Sequence, residues 1–446
     1  MSASPTTDPT TGSTTGPAPA SDIAVDAPVG EAPVCSGEID WEAVRADFPY
    51  LERRIDGAPI IYLDAANTSQ KPRQVIDAMR DFAATGYAPI NRSAYRMAGE
   101  ATDAFEGARA AVARFINAPS ADEVIFTKNA TESMNLVAHS WARQTMGAGD
   151  AVVLSHMEHH ANIVPWQMLA AERGIELRWI PLTDDGRLDL SDLDRLLDGA
   201  KALSITAMSN VLGTLPPVTE LCRRAHDAGA IAIVDACQFV PHNVTDVQAW
   251  DADLVAFSGH KMCGPSGIGV LWGTMALLDD MAPFLGGGNM IADVRLDGFT
   301  TAPVPAKFEA GTPPIIEAVG LGAAVEYLNS IGMANIRSHE IELTDYALDT
   351  LTARFGDDIV IHGPRDTAIR GAVISFAFRD LHPHDVSQVL DQANICVRAG
   401  HHCAKPLMRL LGANATARAS FYLHTTTAEI DALADALDGA GDIFGF

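Results

Sequence analysis

The stretch LVAFSGHKMCGPSGIGVLW, residues 254–272, decides how this chain is read. An apolar run at 254–257 gives way to Ser258-Gly259-His260-Lys261, then to a Gly-rich turn and a second apolar run at 269–272. A lysine at a strand exit, among small and hydroxyl residues, suits Schiff-base chemistry beside a phosphate. A surface lysine in a Gly-rich turn has the same local sequence.

Working outward, the run AIAIVD at 230–235 ends on Asp235. A carboxylate closing a buried strand needs a partner, because burying it bare is costly. A protonated pyridine nitrogen is one such partner; a helix cap or a structural ion pair is another. Asp235 and Lys261 lie 26 residues apart, one strand–helix–strand unit. That spacing lets both face one ring from adjacent strand ends.

Further apolar runs predict strands at 151–155, 177–182 and 202–209, and amphipathic spacing predicts helices at 130–143, 193–197 and 218–228. Nearly continuous apolar strands alternating with helices indicate an α/β fold, a mostly parallel sheet covered on both faces. Beyond about residue 315 the pattern changes. Helices at 316–330 and 336–355, strands at 359–362 and 372–378, a helix at 385–392 and a strand at 395–398 predict a smaller α+β C-terminal domain. The expected units are a disordered tail at 1–38, an N-terminal segment at 39–59 packing on the small domain, a large domain at 60–315 and a small domain at 316–446.

The tail is rich in Ser, Thr, Pro, Ala and Gly, and has too little apolar surface to offset ordering entropy. No Lys or Arg precedes Arg45, which argues against a secretory or transit leader. Six cysteines without a C-x-x-C pair fit a reducing compartment, so a cytoplasmic location is expected. The 446 residues carry a formal charge of −26, which argues against binding a nucleic-acid backbone. No apolar run is long enough to cross a membrane.

Two more stretches carry chemistry. TKNATE at 127–132 opens a helix whose free N–H groups, with the Thr131 hydroxyl, make a phosphate site, although an ordinary helix cap has the same sequence. Arg398-Ala399-Gly400-His401-His402-Cys403 sets a cysteine in a polar loop near cationic groups, surroundings that favour a nucleophilic thiolate. Neither His156-Met157-Glu158-His159-His160 nor His401-His402-Cys403 has metal-binding spacing, so no intrinsic metal is expected.

Together, YLDAANTSQKP (62–72), TKNATES (127–133), MEHHANIVPWQ (157–167), SNVLGT (209–214), VDACQ (234–238), FSGHKMCGPSGIG (257–269), KFEAGTP (307–313), HPHDV (382–386), VRAGHHCAKPLM (397–408) and ARAS (417–420) resemble one family. It is the SUF-type cysteine desulfurases and selenocysteine lyases, pyridoxal 5'-phosphate enzymes of the class V aminotransferase group with the fold type I dimer architecture and a seven-stranded sheet. The resemblance implies removal of sulfur from L-cysteine, giving L-alanine and a Cys403 persulfide that feeds iron–sulfur cluster assembly or a dedicated sulfur-donor pathway. It implies that Lys261 holds the cofactor and moves protons, that Asp235 pairs with the ring nitrogen, that Gln238 meets the ring oxygen and that His159 stacks on the ring. Ala130, Thr131, Ser258 and His260 would hold the phosphate, joined by Thr312 of a second subunit in a homodimer. Asn210, Arg418, Arg398 and Tyr95 would face the substrate. In one branch of the family, a histidine placed like His384 docks a zinc-bearing SufU-type sulfur acceptor.

The chain departs from the family pattern at the mouth of the site. Asn91-Arg92-Ser93-Ala94-Tyr95 puts Tyr95 where a histidine is usual, and His424-Thr425 replaces a Tyr-Asn pair. Asn67 and Asn289 are also unusual. These changes keep open a different lyase, epimerase or aminotransferase on the same scaffold, and a catalytically silent partner protein. Cys403 discriminates, since desulfuration needs it most.

Overall fold

The computed structural model describes residues 39–91 and 93–444, with side chains through 439. The expected disordered tail, with Cys35, and Arg92 of the mouth loop lie outside the described residues.

The large domain is built on strands β1 (Val124–Thr127), β2 (Ala151–Ser155), β3 (Glu176–Ile180), β4 (Ala200–Thr206), β5 (Ile231–Asp235), β6 (Leu254–Ser258) and β7 (Gly269–Gly273). They form one seven-stranded sheet in the order β1-β7-β6-β5-β4-β2-β3. Only β7 runs against its neighbours. Successive strand residues face opposite sides, and both sides are covered. Val153, Leu203, Val234 and Phe257 enter one core with Phe105 and Leu321. Val152, Leu154, Ile233 and Leu254 enter the other, with Trp141 and Trp166. This two-sided burial is why the strands have no polar alternation, and each such side chain stabilises by about 2 kcal/mol relative to exposure.

Helix α1 (Arg96–Phe115) lies against one face of the sheet, and α2 (Ala130–Leu136) follows β1. The helix predicted at 130–143 is continuous but not uniform, since residues Val137–Ala142 widen into a π-helical turn. Asn129 caps α2 by accepting the Glu132 N–H at 3.0 Å, a contact that stabilises by about 1 kcal/mol. A Cβ on Gly269 would sit 2.5 Å from the Asn129 Cα, so β7 needs glycine there to let this cap approach.

Helices α3 (Ile315–Ile331) and α4 (Met333–Phe355) lead into the second unit. Its strands β8 (Ile359–His362), β9 (Val373–Phe378), β10 (Arg398–Gly400) and β11 (Thr416–Ser420) form an antiparallel sheet in the order β8-β9-β11-β10. Helices α5 (Pro383–Gln392) and α6 (Thr427–Phe444) join it, and Leu351, Phe376, Leu390, Phe421 and Leu433 share its core.

The single strand expected at 395–398 is in fact two. Ile395–Cys396 pairs in parallel with Ile61–Tyr62, whereas Arg398–Gly400 pairs with β11. The chain changes partner at Val397 because a distant N-terminal segment completes the first ladder, and no local pattern records that. The segment before residue 60 also touches the second unit. Arg45 forks onto Glu429 at 2.8 and 3.1 Å, and Trp41 stacks on His339 with ring centroids 4.0 Å apart.

Candidate active site

The C-terminal ends of the parallel strands meet at one level of the sheet. Thr206 pairs with Asp235, Asp235 with Ala256, Ser258 with Gly269, and Gly269 with Thr127. Ligands bind at this edge in open α/β sheets because the chain turns there leave side chains and helix N-termini facing a crevice. A cavity of about 250 Å³ opens at that edge. Ala130, Thr131, His159, Asn210, Asp235, Gln238, Ser258, His260, Lys261, Arg398, Cys403 and Arg418 all line it.

Asp235 is 3% exposed, and among the described residues it forms no ion pair; its Oδ1 takes the Cys237 N–H at 3.1 Å. Burial raises its pKa, only partly countered by that N–H and by Lys261. A cation brought against it would relieve this cost. Gln238 donates from Nε2 to the Ala66 carbonyl at 2.7 Å, which fixes the amide's orientation, and its Oε1 is buried without a partner. The His159 ring accepts the Ala161 N–H on Nδ1 at 3.1 Å. Burial first, then Lys261 and other neighbouring cations, push its pKa down to about 3, so it is a neutral ring. The preceding residue, Glu158, is fully buried and accepts from Ser155, from Asn162 Nδ2 at 2.7 Å and from the Thr206 N–H at 3.0 Å. Burial lifts its pKa to about 8 against those three donors. Ser258 Oγ accepts the Ala130 N–H at 2.9 Å, tying the end of β6 to the start of α2.

The loop carrying Cys403 crosses from the second unit to the first and is held at three points. The His160 N–H donates to the Cys403 carbonyl at 2.7 Å, Asn210 Nδ2 to the His402 carbonyl at 2.6 Å, and the Lys405 N–H to His160 Nε2 at 3.0 Å. These bonds hold His402 and Cys403 in the left-handed region, at φ of +50° and +56°, which is unfavourable for side-chain-bearing residues. Arg418, 1% exposed, donates to the Asn210 carbonyl at 2.9 Å and to Asp64 at 3.2 Å, while its Nε is buried with no partner. Arg398 donates to Asn67 Oδ1 at 2.8 Å and to Cys403 Sγ at 3.6 Å. Asn67 in turn donates to Asp64 at 3.1 Å, so Asp64 and Asn67 link the two arginines.

Residues 61–433 match the class-V aminotransferase family. A probable cysteine desulfurase of Streptomyces coelicolor is 54% identical over 415 residues, 92% of this chain and 99% of that protein. A cysteine desulfurase of Haloferax volcanii is 46% identical over 91% of this chain and 98% of its own length. This chain belongs to the cysteine desulfurases of the class-V aminotransferase family. Two solved members superpose closely. The apo cysteine desulfurase of Thermococcus onnurineus has a TM-score of 0.87 at 38% identity, covering 92% of this chain and 100% of that one. A cysteine desulfurase of Escherichia coli in an S-sulfonic acid form has a TM-score of 0.84 at 37% identity, covering 91% and 100%.

Three residues that the resemblance assigns to this desulfurase, Tyr95 at the substrate, Thr312 reaching across from a second subunit and His384 at an acceptor face, do not line the cavity of the single chain. Tyr95 is 46% exposed at the N-terminus of α1 and does not line the cavity, so no contact in this chain supports a substrate role for it. Thr312 is exposed and also outside the cavity. His384 is exposed in the first turn of α5, its ring stacked on His382 with centroids 5.3 Å apart. Conversely, Cys237, Thr206 and Met208 line the cavity although no expected role in the sequence points to them. Cys237 sits inside VDACQ, two residues past Asp235, and that spacing was the available signal. Asn67, a departure from the family pattern, also lines the cavity. Among the described residues, no three His, Cys, Asp or Glu side chains gather as a metal set, and no helix is long and apolar enough to cross a membrane.

The Asn67 bridge gives a direct prediction. Asn67→Ala leaves Arg398 held only by the sulfur and water, so Arg398 spends less time on Cys403. Iodoacetamide alkylation of Cys403 at neutral pH should then slow about threefold, the scale of one partly exposed polar contact. An unchanged rate would show that Arg398 does not depend on Asn67.

Proposed function

We propose that this protein is a pyridoxal-phosphate-dependent cysteine desulfurase that converts L-cysteine and the Cys403 thiol into L-alanine and a Cys403 persulfide. The observation that carries the reading is the convergence, in one cavity, of Lys261, a buried unpaired Asp235 and a Cys403 loop pinned to the large domain. The residues fit the cofactor. Asp235 would meet the ring nitrogen, His159 the ring face, Gln238 the ring oxygen through its remaining Nε2 hydrogen, and Lys261 the aldehyde carbon. The start of α2 with Thr131, Ser258 and His260 would take the phosphate. When bound, pyridoxal phosphate supplies an electron sink conjugated to the substrate's α-carbon.

The chain's own groups do the rest. Arg418, with its unpartnered Nε, and Asn210 hold the substrate carboxylate. Lys261 Nζ takes the α-proton and returns protons to the carbon skeleton. Cys403, as thiolate, attacks the substrate sulfur. The substrate Cβ–S bond breaks as the S–S bond forms, and Cβ gains a proton, giving alanine. We further propose a homodimer in which Thr312 of the partner subunit reaches the phosphate, and a zinc-bearing SufU-type acceptor that collects the sulfur at the face marked by His384. An enzyme of this kind would work in the cytoplasm.

The test is stoichiometric alanine from L-cysteine by the cofactor-loaded protein, with bound persulfide detected on Cys403. Absence of both, in protein carrying the cofactor, would overturn the proposal. For the acceptor face, His384→Ala should abolish stimulation of turnover by a zinc-bearing acceptor protein. Full stimulation in that variant would remove His384 from the docking surface.

A further inference from the structure

The half-buried segment Thr68-Ser69-Gln70-Lys71 has no part in the chemistry above, yet polar groups of Thr68, Ser69 and Lys71 converge on one atom. That atom is the carbonyl oxygen of His260, in the peptide group whose nitrogen belongs to Lys261. The Ser69 N–H donates to it at 3.0 Å, Thr68 Oγ1 at 3.0 Å, Ser69 Oγ at 3.1 Å and Lys71 Nζ at 3.2 Å. A carbonyl has two lone pairs, so four donors are more than the backbone's hydrogen bonding requires. Ser69 Oγ also accepts the Cys263 N–H at 2.8 Å. One hydroxyl, 2% exposed as a residue, therefore grips the main chain on both sides of Lys261.

Lys71 is the unusual member. Among the described residues it forms no ion pair, and its Nζ is spent on two carbonyls, those of His260 and Ser69. Burial pushes its pKa down to about 8. Holding a lysine partly desolvated without a carboxylate is unfavourable, and its bonds to these two carbonyls offset that cost. That turn is a single 3-10 segment, Gly259–Lys261, followed by Cys263 at φ +62°. A left-handed cysteine two residues beyond this single turn is unfavourable, and the Ser69 hydroxyl holds its N–H from outside the turn.

We propose that Ser69 and Lys71 are positioning residues that clamp the main chain of Lys261 and so fix the pivot from which its Nζ meets the cofactor and moves protons. The inference rests on the function proposed above, in which Lys261 is the cofactor lysine. A lysine that must bond one carbon, leave it and return is sensitive to its pivot, because misplacement by about 1 Å costs up to ~10²-fold in rate.

The test is a double-mutant cycle read by cofactor affinity. Lys71→Met keeps the length but removes the charge and donors; Ser69→Ala removes the bridging hydroxyl. Each is made with Lys261 present and in Lys261→Ala, and the dissociation constant for pyridoxal phosphate is measured by absorbance or fluorescence. With Lys261 present, each should weaken binding about tenfold; in Lys261→Ala the effect should fall within about twofold, the non-additivity expected of residues acting through one group. For L-cysteine, kcat should fall ~10-fold or more while KM changes by less than about twofold. Equal losses in both backgrounds would overturn the clamp in favour of a general pocket wall, and no loss in either would overturn it outright. If Lys71→Met does not fold, Ser69→Ala decides alone. The two readings fail separately. If borohydride does not fix the cofactor on Lys261 of the unmodified protein, the proposed function fails; if it does and the effects are additive, only the clamp fails.

Discussion

Cys403→Ala is expected to end alanine formation from L-cysteine, with a loss of about 10³-fold or more, because the nucleophile that accepts the sulfur is gone. The loop around it should survive the change. Its three anchors use the carbonyls of His402 and Cys403 and the Lys405 N–H, none of which is the sulfur. Cofactor absorbance and thermal stability should therefore match those of the unmodified protein, apart from a small effect of the left-handed backbone at residue 403. Chromatographic assay of alanine, beside persulfide labelling, reads the result. Alanine at more than about a tenth of the original rate would mean that sulfur can leave without this thiol, and the sulfur-transfer step as written would be wrong.

Lys261→Ala is expected to abolish turnover to a similar extent, but by another route, and the two variants separate binding from chemistry. Lys261 is the cavity amine that follows β6 directly, and no other lysine lines that cavity. Without it, no side chain there can both hold an aldehyde carbon and return a proton to the substrate skeleton. Asp235, Gln238, His159 and the start of α2 remain, so the cofactor should still bind, more weakly and without covalent attachment. Borohydride reduction followed by peptide mapping distinguishes the two states. Cofactor retained on another lysine of the unmodified protein would refute the assignment. Substantial turnover by the alanine variant would do the same.

Much of this architecture is legible from local pattern. Apolar strands buried on both faces lack alternation, and β2, β5 and β8 occupy the predicted residues because flanking Gly, Asp and polar turns bound them tightly. Strand β1 at Val124–Thr127 and helix α1 went unread; β1 has only four residues, and α1 is alanine-rich with a diffuse apolar stripe. The residues closest to the proposed chemistry were likewise legible, because Ser-Gly-His-Lys after a strand and Asp at a strand end are local arrangements.

The sequence by itself determined which side chains are present and the order of strands and helices that carries them to one edge of a sheet, since strand termini and turn residues are local properties. Only the tertiary structure decided which of them meet. Asp64 reaches Arg418 across 354 positions, Arg398 reaches Asn67 across 331, and Thr68, Ser69 and Lys71 close on the His260 carbonyl from about 190 residues away. Tyr95, which the resemblance placed near the substrate, falls outside the cavity of this chain. Contacts of that range depend on how two cores pack against each other, and no spacing along the chain encodes that packing.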